Sequence, residues 1–351
     1  MNIYDNNKQL LSTLGVEGNY STDFEVRKAI LTALGGDATE CNTIYEVDTQ
    51  ILKIYEEGGG GGTGQKTVFK VKDGASLRTN ETEIPFDIDS SEVTDFSNMF
   101  NRCSNLTSIP YLDTSKGTSF SNMFYNCNNL TTVQQIDSSE CTNFSYMFAY
   151  CTNLAEVPLL DTSKGTNFNC MLGYCSKLTS IPQLDTSNGT NFSTMFNGCD
   201  NITTIPQLNT SKGTNFSYMF YNCPNLIEVP HLDTSSGTNF STMFANCPNL
   251  ITILGIDISK GTSFSSMFMN CSKLENIIFN GYIDRTIDFS PCISLSYDSV
   301  KNILTACSNT TNTNSKTLKL NITLTDQNGE LQSLIETCNT KKWTINGLTL
   351  N

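Results

Sequence analysis

The sequence predicts an α/β repeat solenoid, a leucine-rich-repeat-like stack of eight 24-residue units that each contain a helix, a strand and a turn. The first observation behind this prediction is a cysteine that returns every 24 residues without insertion or deletion. A fixed period in this range is the sequence signature of a solenoid. The eight cysteines, called the cysteine column below, are Cys103, Cys127, Cys151, Cys175, Cys199, Cys223, Cys247 and Cys271.

The second and third observations are the apolar spacings before and after each cysteine. Phe, Met and Phe or Leu precede it by seven, four and three residues, which is the spacing of one face of a two-turn helix. Apolar residues follow at plus three, plus six and plus nine, usually with Pro at plus seven, and predict a short strand. A polar DTSxGT turn then leads to the next unit. In the unit of Cys223 the apolar residues are Phe216, Met219, Phe220, Leu226, Val229 and Leu232.

The repeats divide the chain into five predicted parts. Residues 1–57 form a helical anchor or oligomerisation module, and residues 58–65 a glycine-rich hinge. Residues 66–88 form an N-terminal β cap, with two or three short strands around the Asp73-Gly74 turn. Residues 89–280 are the solenoid. Residues 281–351 form a C-terminal α/β cap with the order helix, strand, helix, strand.

The N-terminal module carries two apolar stripes at helical spacing. Either the second stripe packs on the first helix, or it serves self-association or docking on a larger assembly. Two helices of this size bury little core, so we expect a partner, with a homotrimer as the favoured oligomer. The five glycines that follow indicate a hinge, because the strand and the Lys-Ser/Thr of a phosphate-binding loop are missing. The stripe residues are Val26, Ile30, Leu34, Ile44, Val47, Ile51 and Ile54.

The cysteine and aspartate columns each allow a functional and a structural interpretation. A straight row of cysteines cannot converge on zinc and fits disulfide geometry poorly, so we expect buried thiols in the core. An aspartate column suggests calcium, but Asn209 takes the same place with unchanged neighbours, which favours hydrogen bonding within the turn. We therefore expect no metal and no cofactor. The aspartates are Asp89, Asp113, Asp137, Asp161, Asp185, Asp233 and Asp257.

Composition and the lone histidine exclude several function classes. The net charge of −13 argues against nucleic acid as a partner. The sequence contains no run of 18 apolar residues, which argues against membrane insertion. His231 is the only histidine. Repetition brings no Ser-His-Asp or Cys-His group around it, so we do not expect an enzyme.

The positions that vary between units are the candidate binding residues, because repeated positions hold the core. One set is the eighth residue after each cysteine, called the plus-eight row, which we expect to face solvent. Its candidates are Tyr111, Gln183, Gln207 and His231. The other set is a group of tyrosines on the outer face of the predicted helices, suited to protein or carbohydrate contacts. These are Tyr125, Tyr146, Tyr150, Tyr174, Tyr218 and Tyr221.

Residues 89–280 resemble the BspA-like leucine-rich repeats, in particular the branch with DTSxxTNxSxMFxxCxxL units. The stretch TSKGTNFSYMFYNCPNL follows that pattern closely. The chain departs from it at Gly165, Gly189 and Gly213, where many relatives carry Val. The resemblance implies a curved or straight solenoid with a role in surface attachment and adhesion. The flank that ends in KKWTI is similar to the closing module of such proteins in gut Bacteroidales and their phages.

The first residues of the chain favour a viral member of this family over a bacterial one. Bacterial members usually carry a signal or lipoprotein segment, whereas MNIYDNNKQLLSTLG has neither a basic start nor an apolar run. By analogy, the chain looks like a phage virion protein, a fibre or decoration on head or tail, made in the host cytoplasm. Its partners would be other virion proteins through residues 1–57 and a host surface protein or glycan through the repeats. The alternative is a bacterial surface or cytoplasmic interaction protein, and a carbohydrate-active enzyme comes last.

Overall fold

The computed structural model describes residues 68–84, 87–134 and 136–351. The predictions for the anchor module, residues 1–57, and for the hinge, residues 58–65, lie outside these residues.

Two short strands open the described chain. Strand β1 (Val68–Lys70) pairs in parallel with β2 (Asp87–Asp89), with Val68 opposite Asp87. The chain turns at Asp73-Gly74, where Gly74 has a φ of +75°, a conformation that glycine adopts without steric cost. The N–H groups of Gly74 and Leu77 donate to carbonyls of the first unit, and these bonds attach the segment to the solenoid.

The prediction of a helix in each unit is wrong. The segment before Cys103 forms consecutive turns, in which the N–H of Met99 donates to the Phe96 carbonyl three residues back, at 3.2 Å. Asn98 and Arg102 both have a φ of 64°, in the left-handed region. An α-helix needs right-handed φ throughout and bonds to the fourth preceding carbonyl, so left-handed residues at every fourth position exclude it.

Alternate N–H groups in these turns bond to the next unit. The N–H of Phe96 donates to the Ser119 carbonyl at 2.9 Å, and those of Asn98, Phe100 and Arg102 donate in the same direction. The equivalent N–H groups of the following units donate to the next unit in the same way. Each unit therefore satisfies its backbone through its neighbours, as the stacked units of a solenoid do. The bonds equivalent to the one from the Phe96 N–H to the Ser119 carbonyl join, donor first, Phe120–Asn143, Phe144–Asn167, Phe168–Asn191, Phe192–Asn215, Phe216–Asn239 and Phe240–Ser263.

Strands after the cysteine form in three of the described units only, the last three of the repeats, and proline limits the length of the first. Strand β3 (Glu228–Val229) ends directly before Pro230, which has no N–H to donate. Strands β4 (Thr252–Ile256) and β5 (Asn276–Phe279) are longer, because Leu254 and Ile278 replace that proline. The three strands pair in parallel in the order β3-β4-β5. Isolated bridges just before the first Phe join the units from Asp95 through Ser263. The earlier described units have no strand after the cysteine, so the predicted strand is wrong there.

The core is a set of columns of Phe, Met, Cys and Leu that run along the solenoid. Phe144, Met147, Phe148, Cys151 and Leu154 are all fully buried. Neighbouring rings of the Phe148 column lie 5.4–5.9 Å apart, centroid to centroid. Because every unit buries its apolar side chains against the next, the fold is a repeat solenoid with few helices and small parallel sheets.

The C-terminal elements follow the predicted order. After β6 (Ile287–Asp288) come α1 (Tyr297–Ser308), β7 (Lys316–Leu324), α2 (Glu330–Thr340) and β8 (Trp343–Leu350). The sheet order is β6-β7-β8, all parallel.

A ring stack attaches these elements to the last repeat, and an indole hydrogen bond joins β8 to α1. The Phe289 ring stacks on Phe268 of the last repeat at 4.6 Å, and the Trp343 indole N–H donates to the Cys307 carbonyl at 3.0 Å. Among the described helices, none has the length and apolar composition needed to cross a membrane.

Candidate functional site

A groove runs along the plus-eight row. The Gln183 Nε2 donates to the Gln207 carbonyl at 2.7 Å, and the Gln207 Nε2 donates to the His231 carbonyl at 2.6 Å. These bonds lay each glutamine along the solenoid toward the next unit. The groove has a volume of about 510 Å³ and is lined by Gln183, Leu184, Asp185, Thr186, Gln207, Leu208, Asn209, Thr210, His231 and Asp233.

His231 marks the C-terminal side of this groove. Its ring is exposed, and its Nε2 lies 3.0 Å from the Asn280 Nδ2, two units further along. Gly255 lies between them, and a Cβ there would come within 2.9 Å of both side chains. The missing side chain therefore opens the space in which His231 and Asn280 meet. Hydrogen bonds from Ser235, and to a smaller extent the nearby His231, lower the pKa of Asp233.

The row continues toward the N-terminus with large exposed side chains. Tyr111 is 74 % exposed and Leu159 is 76 % exposed. The four candidates of the plus-eight row are exposed, as expected from the sequence, whereas Gly255 in the same row is buried. The row thus joins apolar contact area on one side to a polar groove on the other.

The tyrosines lie on turns, so their predicted place on helices is wrong. They form two separate groups. In the first, Tyr150 stacks on Tyr174 with ring centroids 4.3 Å apart and meets Tyr125 at 5.3 Å, and Tyr146 lies 6.3 Å from Tyr125. In the second, Tyr218 and Tyr221 meet edge to face at 5.5 Å.

Packing occupies much of the ring surface in the first tyrosine group. The Tyr174 ring lies over Gly198, where a Cβ would come within 2.7 Å of the ring, and its hydroxyl accepts from the Asn197 Nδ2 at 3.3 Å. Burial and the neighbouring Tyr174 raise the pKa of Tyr150 to about 12. All four rings are half-buried, which leaves edges and hydroxyls as the accessible parts. The sequence gives no sign of this stacking, because ring orientation depends on the turn ladder.

Comparison with protein families bears on the repeats as a whole. A family described as "Mycoplasma protein of unknown function, DUF285" matches three overlapping segments, residues 70–180, 153–251 and 190–317, which together span well over half of the chain. The chain belongs to the DUF285 family. No curated protein matches it.

The aspartate column of this DUF285 chain holds its own turns. The Asp185 Oδ1 accepts from the Ser187 N–H at 3.0 Å, and the Asn209 Oδ1 accepts from the Ser211 N–H at 3.2 Å. Hydrogen bonds from the Ser187 N–H and hydroxyl lower the pKa of Asp185. The turn interpretation is therefore confirmed at both residues, since the amide repeats the bond that the carboxylate makes. Across the described residues, no three His, Cys, Asp or Glu side chains converge in a way that could hold a metal ion.

The cysteine column of this DUF285 chain is buried and unpaired, as expected. The structure adds a bond that sequence reasoning missed. Each thiol from Cys127 onward donates to the backbone carbonyl 27 residues earlier, as Cys151 does to Phe124 at 3.0 Å. Burial raises the pKa of the Cys151 thiol to about 12. Thiols held in this way are protonated and unreactive at neutral pH, which suits a structural role.

Proposed function

We propose that the chain is a non-enzymatic virion structural protein, a fibre or decoration on the head or tail of a phage. Its body of eight leucine-rich-repeat-like units, of the BspA-like branch, adheres to a host surface protein or glycan. Residues 1–57 attach it to other virion proteins or assemble it as a homo-oligomer. The alternative is a bacterial BspA-like surface or interaction protein that uses the same groove.

The groove of the plus-eight row is the observation that supports an adhesive role. Its lining combines residues that differ between units, Gln183, Gln207 and His231, with a uniform wall of turn residues. The glutamine Oε1 atoms accept no hydrogen bond from the described residues. In Asp185 and Asp233, Oδ1 accepts the turn hydrogen bond and Oδ2 accepts none from the described residues. A surface of free acceptors suits a ligand rich in hydroxyl or N–H donors, such as a glycan.

The tyrosine groups support a second contact surface for a ligand or a neighbouring chain. Exposed tyrosine edges and hydroxyls supply rigid contact area with a hydrogen-bonding tip. Because the rings of the first group pack against one another, this surface would bind through edges and hydroxyls, not ring faces.

A binding experiment tests the adhesive role and separates the two surfaces. Fluorescently labelled full chain is applied to a glycan array and to host cells, beside the variants Gln183→Ala/Gln207→Ala/His231→Ala and Tyr146→Ala/Tyr150→Ala/Tyr174→Ala. Loss of the groove side chains should weaken binding about tenfold or more, as for residues central to an interface. The control Gln332→Ala changes an exposed glutamine on α2, outside the repeats. If both triple variants bind like this control, neither surface is the adhesive one.

The location of the chain tests the viral part of the proposal. Mass spectrometry of purified phage particles should detect the chain in a fixed ratio to the major capsid protein. Its absence from particles, together with its presence on the bacterial envelope or in the cytoplasm, would favour the bacterial alternative.

A further inference from the structure

The last units carry exposed aliphatic side chains at two positions where earlier units do not. At the fourth residue after the cysteine, earlier units have Thr or Ala, whereas Ile227 and Ile251 are 45 % and 36 % exposed. At the seventh, most earlier units have Pro, whereas Leu254 and Ile278 are 45 % and 47 % exposed. Since the core is complete without these side chains, packing within the fold does not require them.

The four side chains lie in two neighbouring pairs in consecutive units, and the two pairs together are called the aliphatic patch. Ile253 pairs with Ile277 across β4 and β5, which places Leu254 beside Ile278 on the outward face. The Ile251 N–H donates to the Ile227 carbonyl at 2.8 Å, so these two residues are also neighbours. An exposed cluster of this kind, bordered by polar residues, is typical of an interaction site.

A second groove borders the patch and is separate from the groove of the plus-eight row. It has a volume of about 420 Å³ and is lined by Asn201, Thr203, Asn225, Ile227, Asn249, Ile251 and Lys273. The Asn201 and Asn225 Nδ2 groups donate to backbone carbonyls one unit back. Their Oδ1 atoms accept no hydrogen bond within the described part of the chain. The groove therefore offers acceptors along a wall next to apolar side chains.

Charge at the rim indicates which partner fits. Glu228 and Glu275 are exposed, and neither forms an ion pair with a described residue. Lys273, in the groove, donates to the Asn249 Oδ1 at 2.8 Å and keeps its positive charge, because the amide is neutral. The two carboxylates outnumber this ammonium and the asparagine oxygens add acceptors, so the complement of this rim is a donor-rich surface with net positive charge. A second copy of this chain, with a net charge of −13, meets like charge here.

We propose that the aliphatic patch and its groove bind a protein segment that carries aliphatic side chains flanked by Lys or Arg. The aliphatic side chains of the partner cover Ile227, Ile251, Leu254 and Ile278. Its cations pair with Glu228 and Glu275, and its polar hydrogens bond the asparagine wall. This site uses none of the plus-eight row, so its test is independent of the adhesive role.

Two designed peptides test the proposal on the full chain. One is a 14-residue amphipathic helix of Leu and Lys, and the other is its twin of Leu and Glu with the same apolar face. Binding is followed by fluorescence anisotropy at low and high salt. We expect the lysine peptide to bind at least about tenfold more tightly than the glutamate peptide, and to weaken with salt. Leu254→Ser/Ile278→Ser should reduce its affinity about tenfold, because both side chains lose their buried contacts.

Matched variants make each outcome decisive. Ile293→Ser removes an exposed aliphatic side chain outside the repeats and should leave binding unchanged. Glu228→Gln/Glu275→Gln should remove most of the salt dependence. Thermal unfolding of each variant checks that it folds. The proposal is overturned if neither peptide binds, if the twins bind equally, or if Leu254→Ser/Ile278→Ser behaves like Ile293→Ser. It is also overturned if the wild-type chain dimerises through the patch and the serine variant does not.

Discussion

The Cys127 thiol donates a hydrogen bond to the carbonyl oxygen of Phe100, at 3.1 Å and across the boundary between two units. The same carbonyl accepts the Cys103 N–H at 3.1 Å. One carbonyl thus bonds the turn of its own unit and the thiol of the next. This relationship gives a physical reason for cysteine at these positions, since alanine would lose the donor and a larger residue would not fit the column.

Substitution in the middle of the cysteine column should measure this bond. Cys175 is fully buried, and its thiol donates to the Phe148 carbonyl at 3.1 Å. Cys175→Ala removes the donor and leaves a small cavity, so the free energy of unfolding should fall by about 1–3 kcal/mol. Urea denaturation followed by circular dichroism measures the change. Cys175→Ser keeps a hydrogen-bond donor in a side chain no larger than cysteine, and a serine variant no more stable than Cys175→Ala would show that the hydrogen bond contributes nothing.

Alkaline pH should destabilise the solenoid through its thiols. Burial raises the pKa of Cys151 and of Cys141 from 9.0 to about 12 in the folded protein. Between these values the unfolded chain loses thiol protons while the folded chain keeps them. Stability is therefore unaffected below pH 9 and falls as pH rises above it, by up to about 1.4 kcal/mol per pH unit for each such thiol.

Thermal unfolding between pH 7 and pH 11 measures this effect. The melting temperature should be level up to about pH 9 and then drop steeply, and Cys151→Ala should drop less steeply than wild type. A flat profile to pH 11 would contradict protonated thiols in the core.

The sequence predicted the columns but not the backbone that builds them. The strict return of the cysteine correctly indicates a stacked core. The spacing of inward side chains at Phe96, Met99, Phe100 and Cys103 is that of a helix. Turns that repeat every four residues direct side chains inward at nearly the same interval, so this spacing does not distinguish turns from a helix. A signal for turns was present: Asn or Gly occupies many left-handed positions, such as Asn98 and Gly198, and both tolerate that conformation.

The candidate sites were predictable to a similar extent. Exposure of the plus-eight row follows from its variation, and the structure places Gln183, Gln207 and His231 together because they occupy equivalent positions in successive units. The bond between His231 and Asn280 was not predictable, since it spans two units across Gly255. The aliphatic patch has a sequence signal in the replacement of Pro by Leu254 and Ile278, but its exposure depends on which face of the strand they occupy.

In the units with glycine at this turn, the ring of the following phenylalanine occupies the space that a side chain would take, whereas Val93 and Cys141 fill the same position in other units. A Cβ at Gly189 would overlap the Phe192 ring and lie 3.0 Å from the Thr186 carbonyl oxygen. Gly189→Ala should therefore force the ring to shift and lower the free energy of unfolding by about 1–3 kcal/mol. Ser236→Ala, in the same turn of another unit, is the control and should have little effect. Equal stability of the two variants in urea would contradict this expectation.

The role of the aspartates in the turns can be tested by comparing the stability of wild type, Asp185→Asn and Asp185→Ala. Asn209 bonds Ser211 as Asp185 bonds Ser187, so Asp185→Asn should retain the stability of wild type at pH 7. Asp185→Ala loses the acceptor and should cost about 0.5–2 kcal/mol, as loss of a comparable cap does. Thermal unfolding of the three proteins at pH 7 measures the order.

Acid and calcium then separate hydrogen bonding from ion binding at the same residue. The Ser187 N–H and hydroxyl hold the pKa of Asp185 below its ordinary value of 3.8, so the carboxylate stabilises the fold above that value. That contribution is lost as pH falls through the folded pKa, so wild type should lose more stability on acidification than Asp185→Asn. Added CaCl₂ should leave both melting temperatures unchanged. A calcium-dependent rise in wild type that Asp185→Asn abolishes would instead assign the aspartate column to ion binding, because an amide provides no charge to replace the carboxylate.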